Sequence, residues 1–244
     1  MTERAIVIRR SDYGESNCML SLFTERHGVI PAVIYGVKRG KNNTKAASGQ
    51  FLCYGDYDLY EGRGAAASVN HADIRDAFLP VSESIPKLAL CSYMAEVVMT
   101  LLGENNPDER LFGIFLNCVY ALAYRDDDIA KVKSVFEMKA MCAEGLSPVM
   151  SRCVKCGSED IYAFDAREGG MVCRGCMRGT SRRISTGAYR AISYLTVCPD
   201  KKMLSFSTDD ESAKETEEMT EVYLLEQTDR GYRSLDYFKA VKDI

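Results

Sequence analysis

Cys18-Met19-Leu20-Ser21-Leu22-Phe23-Thr24, Glu25-Arg26-His27-Gly28 and Val29-Ile30-Pro31-Ala32-Val33-Ile34-Tyr35-Gly36-Val37 form the continuous stretch whose reading decides the amino-terminal fold. Two short apolar runs with period-two character flank a polar turn, which predicts paired antiparallel strands over Cys18 to Thr24 and Val29 to Val37. Arg26-His27-Gly28 reads as the hairpin, with Gly28 free to take a positive φ. Working outward, Arg4 to Arg10, Phe51 to Tyr60 and Ala66 to Phe78 repeat the pattern. Five short strands in so little chain fit a small closed barrel, and the five-stranded OB-fold is the commonest nucleic-acid-binding form.

Near Pro80 the apolar period lengthens to that of helices. Ser84-Ile85-Pro86 reads as a helix start, followed by Leu88, Leu90, Cys91, Met94, Val97, Val98, Leu101 and Leu102. Further helices are predicted from Pro107 to Tyr124, Ile129 to Glu144, Thr186 to Leu195 and about Asp210 to Thr228, with Asp209-Asp210-Glu211 suiting the positive end of the last dipole. The expected organisation is α+β: a barrel at 1–80, then a helical domain at 81–244 with a cysteine module inserted at about 150–182.

That module rests on Cys153-Val154-Lys155-Cys156-Gly157 and, sixteen residues on, Cys173-Arg174-Gly175-Cys176. Two C-x2-C knuckles at this separation match a zinc site, because each tight turn aims two thiolates at one ion. Cys153, Cys156, Cys173 and Cys176 would fill a tetrahedral zinc and leave no position for water, so the ion is expected to be structural. Ile161-Tyr162-Ala163-Phe164 and Gly169-Gly170-Met171-Val172 read as the hairpin joining the knuckles, with Gly157 and Gly175 easing the turns. A deaminase reading through His71-Ala72-Asp73 fails, since Asp73 is not glutamate and the thiol set is complete without histidine. The other cysteines, Cys18, Cys53, Cys91, Cys118, Cys142 and Cys198, lie singly in apolar segments and read as core residues of a reducing compartment.

Of the 244 residues, 46% are hydrophobic and 27% charged, ordinary globular values. No apolar run in the reading approaches a bilayer span and the first ten residues lack a secretory core, so a cytoplasmic protein is expected. The net charge is -4, yet residues 1 to 50 carry eight Lys/Arg against four Asp/Glu, and residues 200 to 244 carry seven against twelve. A local basic surface acts independently of such a total, because fields decay over about 8 to 10 Å at physiological salt. Lys38, Arg39, Lys41 and Lys45 lie between two predicted strands with no acid among them, and Arg9 and Arg10 lie on a neighbouring strand. Tyr13, Phe23 and Tyr35 are candidate base-stacking platforms. From the residues alone, the alternatives are a phosphate-tracking surface or a solvated loop with the aromatics in the core.

Arg9-Arg10-Ser11-Asp12-Tyr13-Gly14-Glu15-Ser16, followed by Leu20-Ser21-Leu22-Phe23-Thr24-Glu25, resembles the amino-terminal signature of the RecO family of bacterial recombination mediators. Gly28, the basic loop after Gly36, Leu59-Tyr60-Glu61-Gly62-Arg63, the four cysteines and the late Arg233-Ser234-Leu235 continue the resemblance over nearly the whole chain. It implies an OB-fold, a helical body and an inserted zinc module, in a non-enzymatic protein that binds single- and double-stranded DNA and anneals complementary strands. It further implies action with RecR, to help RecA displace single-strand-binding protein in DNA repair and recombination, with the tail of single-strand-binding protein accommodated on the helical body. Arg9, Arg10 and the basic loop correspond to the family's DNA-binding region. The competing reading is a zinc-stabilised protein adaptor without DNA contact.

Overall fold

The computed structural model describes residues 1–37, 43–62, 64–102 and 106–243. Five strands form a closed barrel: β1 (Thr2–Tyr13), β2 (Asn17–Thr24), β3 (Gly28–Ile34), β4 (Tyr54–Tyr60) and β5 (Ala67–Asp76), in the order β1-β2-β3-β5-β4. All pairings are antiparallel except β3 with β5, where Ala32 and Val33 oppose Ala67 and Ser68. A short helix, α1 (Asn43–Ser48), falls within the stretch read as loop. Nothing in Asn43-Thr44-Lys45 has the apolar spacing that would reveal it.

The hairpin between β2 and β3 is tied by side chain and backbone together. Thr24 donates its hydroxyl to the Gly28 carbonyl at 2.8 Å and accepts the His27 N–H at 3.0 Å. Gly28 has φ +68°, and a Cβ there would stand 2.4 Å from the Asn106 carbonyl oxygen, so only glycine fits both the turn and the close approach. Inside the barrel, Ala5, Val7, Leu20, Leu22, Ile34 and Tyr57 are among the residues of one buried core. The Tyr57 hydroxyl donates to the Ser48 carbonyl at 2.8 Å, joining the end of α1 to β4.

The barrel's outer side is also covered, which changes the role of one expected platform. Phe23 is fully buried, edge-on to Phe112 at 5.2 Å and Phe115 at 5.9 Å on α4 (Glu109–Tyr124). It is a core residue, because a helix packs on the strand face that period-two reasoning would leave to solvent. Tyr13 and Tyr35, by contrast, are exposed.

Two compact units divide the chain elsewhere than at the change from strand to helix. The first takes in Met1–Tyr124 and Arg233–Ile244, the second Arg125–Tyr232. In the first unit α3 (Ile85–Leu102) contacts β1 and β3, α4 covers Phe23 of β2, α2 (Leu79–Ser82) packs on α3 and α4, and α8 (Arg233–Val241) packs on α3. Contrary to the sequence expectation, α3 is long and apolar enough by composition to span a membrane. Within the unit its Leu90, Cys91, Met94, Val97 and Val98 are buried, and Glu96 accepts hydrogen bonds from the Ser234 N–H at 3.1 Å and from its hydroxyl. That is the setting of a core helix.

The second unit contains α5 (Ile129–Ala143), α6 (Thr186–Val197) and α7 (Asp210–Thr228), mutually packed, with the cysteine module between α5 and α6 in sequence. Asp128, Ser185 and Asp209 cap the three helices by accepting the N–H of Lys131, Ala188 and Ser212. Helix α5 is buried almost all round, including Lys133, Glu137 and Lys139. Lys133 lies 2.9 Å from both Glu137 and Glu221, and Glu137 also accepts the Thr220 hydroxyl at 2.8 Å. Burial would pull the Lys133 pKa down, but the two carboxylates outweigh it and hold the amine charged. Lys139 is satisfied by Asp200 at 2.8 Å and the Cys198 carbonyl at 2.7 Å.

The burial of Phe23 gives a direct check on the fold. Phe23→Ala should destabilise the protein by about 3–5 kcal/mol, the usual range for a large core aromatic. Chemical denaturation measures this; an unchanged midpoint would return Phe23 to the surface.

Candidate metal centre and nucleic-acid interface

The cysteine module is a small sheet with two knuckles. Strands β6 (Ala163–Asp165) and β7 (Gly170–Val172) pair antiparallel, and Arg182 adds an edge by exchanging backbone hydrogen bonds with Phe164, each 2.8 Å. The first knuckle closes with Gly157 N–H donating to the Cys153 carbonyl at 2.8 Å, the second with Met177 N–H donating to the Cys173 carbonyl at 3.0 Å. Gly157 has φ +77°, as the turn requires; Gly175 is outside the positive-φ set.

The sulfur atoms of Cys153, Cys156, Cys173 and Cys176 all lie within 4.8 Å of one another, and Cys156 Sγ stands 3.6 Å from Cys173 Sγ. Four thiolates about 2.3 Å from a tetrahedral ion would be roughly 3.8 Å apart, so the set fits a closed four-sulfur site. The thiols perturb one another strongly. Burial raises the Cys153 pKa, but the backbone N–H groups of Cys173, Cys156 and Lys155 outweigh it and bring the group to about 6. Cys176 is pushed up to about 12, first by its hydrogen bonds with Cys156 and Cys173. Such crowding is what a cation would relieve. The six remaining cysteines are buried and, among the described residues, form no disulfide, as their apolar settings implied.

Asp165 anchors the module's last turn. Its buried carboxylate accepts the Ser181 hydroxyl at 2.6 Å, the Thr180 hydroxyl at 3.0 Å and the Glu168 N–H at 3.1 Å. Burial alone would raise its pKa, but those donors outweigh it and hold the carboxyl below its ordinary value. No signal in the chain marks this role, since an aspartate in a hairpin is ordinarily a turn residue.

On the barrel, Arg9 and Arg10 follow an irregularity in the β1–β2 ladder between Val7 and Arg9. Ile8 is the extra residue there, so Arg9 opposes Ser21 and Arg10 opposes Leu20. Both arginines border an open cleft of ≈ 440 Å³ with Ile8, Phe51, Ser92, Glu96 and Met99. Farther along, Tyr13 opposes Asn17 on β2, and the Asn17 side chain accepts the Gly36 N–H at 3.0 Å. Tyr13 and Asn17 are thus cross-strand partners, and Tyr35 begins the turn that follows β3. Lys38, Arg39 and Lys41 lie outside the described residues; Lys45 lies on α1, and its side chain is also outside them.

Comparison with known proteins matches both halves of the chain. The family model for the recombination protein O N terminal matches residues 1–78, and that for the recombination protein O C terminal matches residues 82–236. The DNA repair protein RecO of Acetivibrio thermocellus is 28% identical over 243 residues, covering 98% of this chain and 96% of its own. That of Alkaliphilus metalliredigens is 26% identical, covering 96% and 97%, and that of Oceanobacillus iheyensis is 30% identical over 173 residues, covering 70% and 66%.

The Asp165 anchor makes the module acid-sensitive. A carboxyl whose folded pKa lies below its unfolded value contributes stability that is full above the unfolded value and lost as pH falls through the folded one. Protection of the amides of residues 165–182, with each exchange rate taken relative to its intrinsic rate at the same pH, should therefore fall as the pH drops below about 4. Asp165→Asn should make that exchange faster at neutral pH and remove its part of the pH dependence; a variant indistinguishable from the parent would dismiss the anchor.

Proposed function

The chain belongs to the recombination protein O family, and from that membership we propose that it is a DNA-binding mediator of repair and recombination, with no bond-making chemistry of its own. The observation that carries the reading is the overhang of β1. Its backbone pairs with β4 only over Thr2 to Ile6, and Val7 exchanges hydrogen bonds with Leu52 and Cys53, whereas the β2 ladder continues to Tyr13. Arg9 to Tyr13 thus project beyond β4, presenting two arginines and an exposed tyrosine.

On this reading phosphates meet Arg9, Arg10 and the cations Lys38, Arg39, Lys41 and Lys45, while Tyr13 and Tyr35 stack on bases. Phosphate contacts supply affinity without sequence preference, which suits a protein that must act on any strand. Two strands held this way with bases accessible can anneal. As the family resemblance implies, the protein acts with RecR to help load RecA on single-stranded DNA covered by single-strand-binding protein, whose tail docks on the helical part. It works in the bacterial cytoplasm, on the nucleoid when active, and also binds double-stranded DNA.

The four cysteines would hold one zinc ion as a structural staple, supported by their sulfur spacing and by a donor set that is already complete at four. X-ray absorption should report one zinc with four sulfurs at about 2.3 Å. Nitrogen, oxygen or water in the shell would overturn the closed site and revive a metal-dependent enzyme.

The DNA reading is tested by fluorescence anisotropy with single-stranded oligonucleotides. If about four to six cations engage phosphates, log K should fall against log salt with a slope of about -3 to -4, and Arg9→Ala with Arg10→Ala should make it shallower by about 1.4. The loss should be similar for every sequence. A slope near zero would favour a zinc-stabilised protein adaptor.

A further inference from the structure

The four thiols of the module form one cluster but differ in what can reach them. Cys156 is the one exposed cysteine among the described residues, Cys173 and Cys176 are half-buried, and Cys153 is buried. Cys153 packs with Ala163 and Val172 at the module's centre, and turning its sulfur outward would give up those contacts. Gly157, next to Cys156 in the chain, stands in open space: a Cβ there would meet nothing within 4 Å. The six cysteines outside the module are buried and closed to a solute from solvent.

The exposed sulfur has a partner on the other knuckle. Cys156 Sγ stands 3.6 Å from Cys173 Sγ. A disulfide spans about 2.05 Å, so the pair needs a closing shift of about 1.6 Å, within the reach of rotation about the two Cα–Cβ bonds. Such a bond would join the same two knuckles that a metal ion would join.

We propose that Cys156 and Cys173 form a peroxide-oxidisable pair, whose reversible disulfide takes the place of the metal ion as the link between the knuckles. The inference rests on the zinc reading of the four cysteines and deepens it: the closed site is a staple that an oxidant opens. A metal-held thiol is a thiolate, the form that attacks. The Cys156 sulfur attacks one oxygen of hydrogen peroxide; the S–O bond forms, the O–O bond breaks, and the departing hydroxide takes a proton to become water. The Cys173 thiolate then attacks Cys156 Sγ; the S–S bond forms, the S–O bond breaks, and the second hydroxide leaves as water with another proton. Two thiolates have lost two electrons to the peroxide, which has become two waters. The sulfurs left free, Cys153 and Cys176, are too few to close a tetrahedral shell, so the ion is released. A dithiol reductant reverses the step by exchange and lets the ion return. The frame outlasts the change, because the β6–β7 pairing and the hydroxyl partners of Asp165 use no sulfur.

The test treats the full-length, reduced, zinc-loaded protein with one molar equivalent of hydrogen peroxide. Zinc release is followed with a chromogenic chelator, beside thiol titration and peptide mass spectrometry without reductant. Zinc should leave as two thiols disappear, with Cys156 and Cys173 on one cross-linked peptide pair, and dithiothreitol with fresh zinc should restore both. A disulfide within one knuckle, a sulfinic acid at Cys156 with no cross-link, or zinc retained in full overturns the proposal.

Cys156→His keeps a zinc ligand and removes the thiol that peroxide reaches, so zinc release should be about 10-fold slower than in the parent, or less. Release at the parental rate overturns the role of Cys156. Should this variant hold no zinc, the cross-link found in the parent decides alone. A chain that binds no zinc before peroxide sinks the zinc reading and this proposal together, whereas a loaded chain that keeps its zinc in peroxide sinks this proposal only.

Discussion

The double pairing of β1 is the constraint on which the amino-terminal unit depends. A single strand of 12 residues must hydrogen-bond to β4 and β2 to close the barrel. Ala5 and Ile6 stand in both ladders, with Ala5 and Val7 buried in the interior and Ile6 and Ile8 buried outside it. The extra residue at Ile8 then bends the strand, and the residues beyond it have β2 alone as a strand neighbour. An overhang of this kind presents unpaired backbone and would invite edge-to-edge association if it were apolar. Here it reads Arg9-Arg10-Ser11-Asp12-Tyr13, which protects the edge and gives it a charge.

The second unit solves a different problem. Its central helix α5 is covered so completely that lysine and glutamate are buried with the apolar residues, and each is compensated by a partner of opposite charge. Removing one member of such a pair generally costs more than the pair contributes, because the other charge stays buried. The cysteine module has too little apolar mass for a core of its own: Ala163, Val172 and Cys153 are its fully buried centre. A small module of that kind needs cross-links; the Asp165 hydrogen bonds provide one set, and a metal ion held by the four sulfurs would provide another.

Much of this is legible in the sequence because it is local. Period-two runs locate all five strands, and the C-x2-C spacing locates the four sulfurs within the module they occupy. The features that are not legible depend on distant contacts. Phe23 has the pattern of an outward residue, and it is Phe112 and Phe115, some ninety positions away, that pack against it. The full apolar length of α3 is disguised because Lys87 and Glu96 interrupt its apolar run without interrupting the helix. Helix α8 escapes the sequence reading although Leu235, Phe238 and Val241 recur at helical spacing; nine residues give a weak signal. The division into units is hidden most deeply, since α8 returns to α3 from the far end of the chain. The positions of Arg174 and Arg183 are plain in the chain, but not that they share the ring of Tyr162.

The central claim is that the overhanging end of β1 and the chain after Tyr35 receive the nucleic acid. Amide hydrogen exchange of the full chain, with and without a saturating single-stranded oligonucleotide, measures this segment by segment. The account predicts slower exchange in residues 9–13 and 35–45 on binding, with the interior strands unchanged. Bound DNA with no change in those two segments would contradict it.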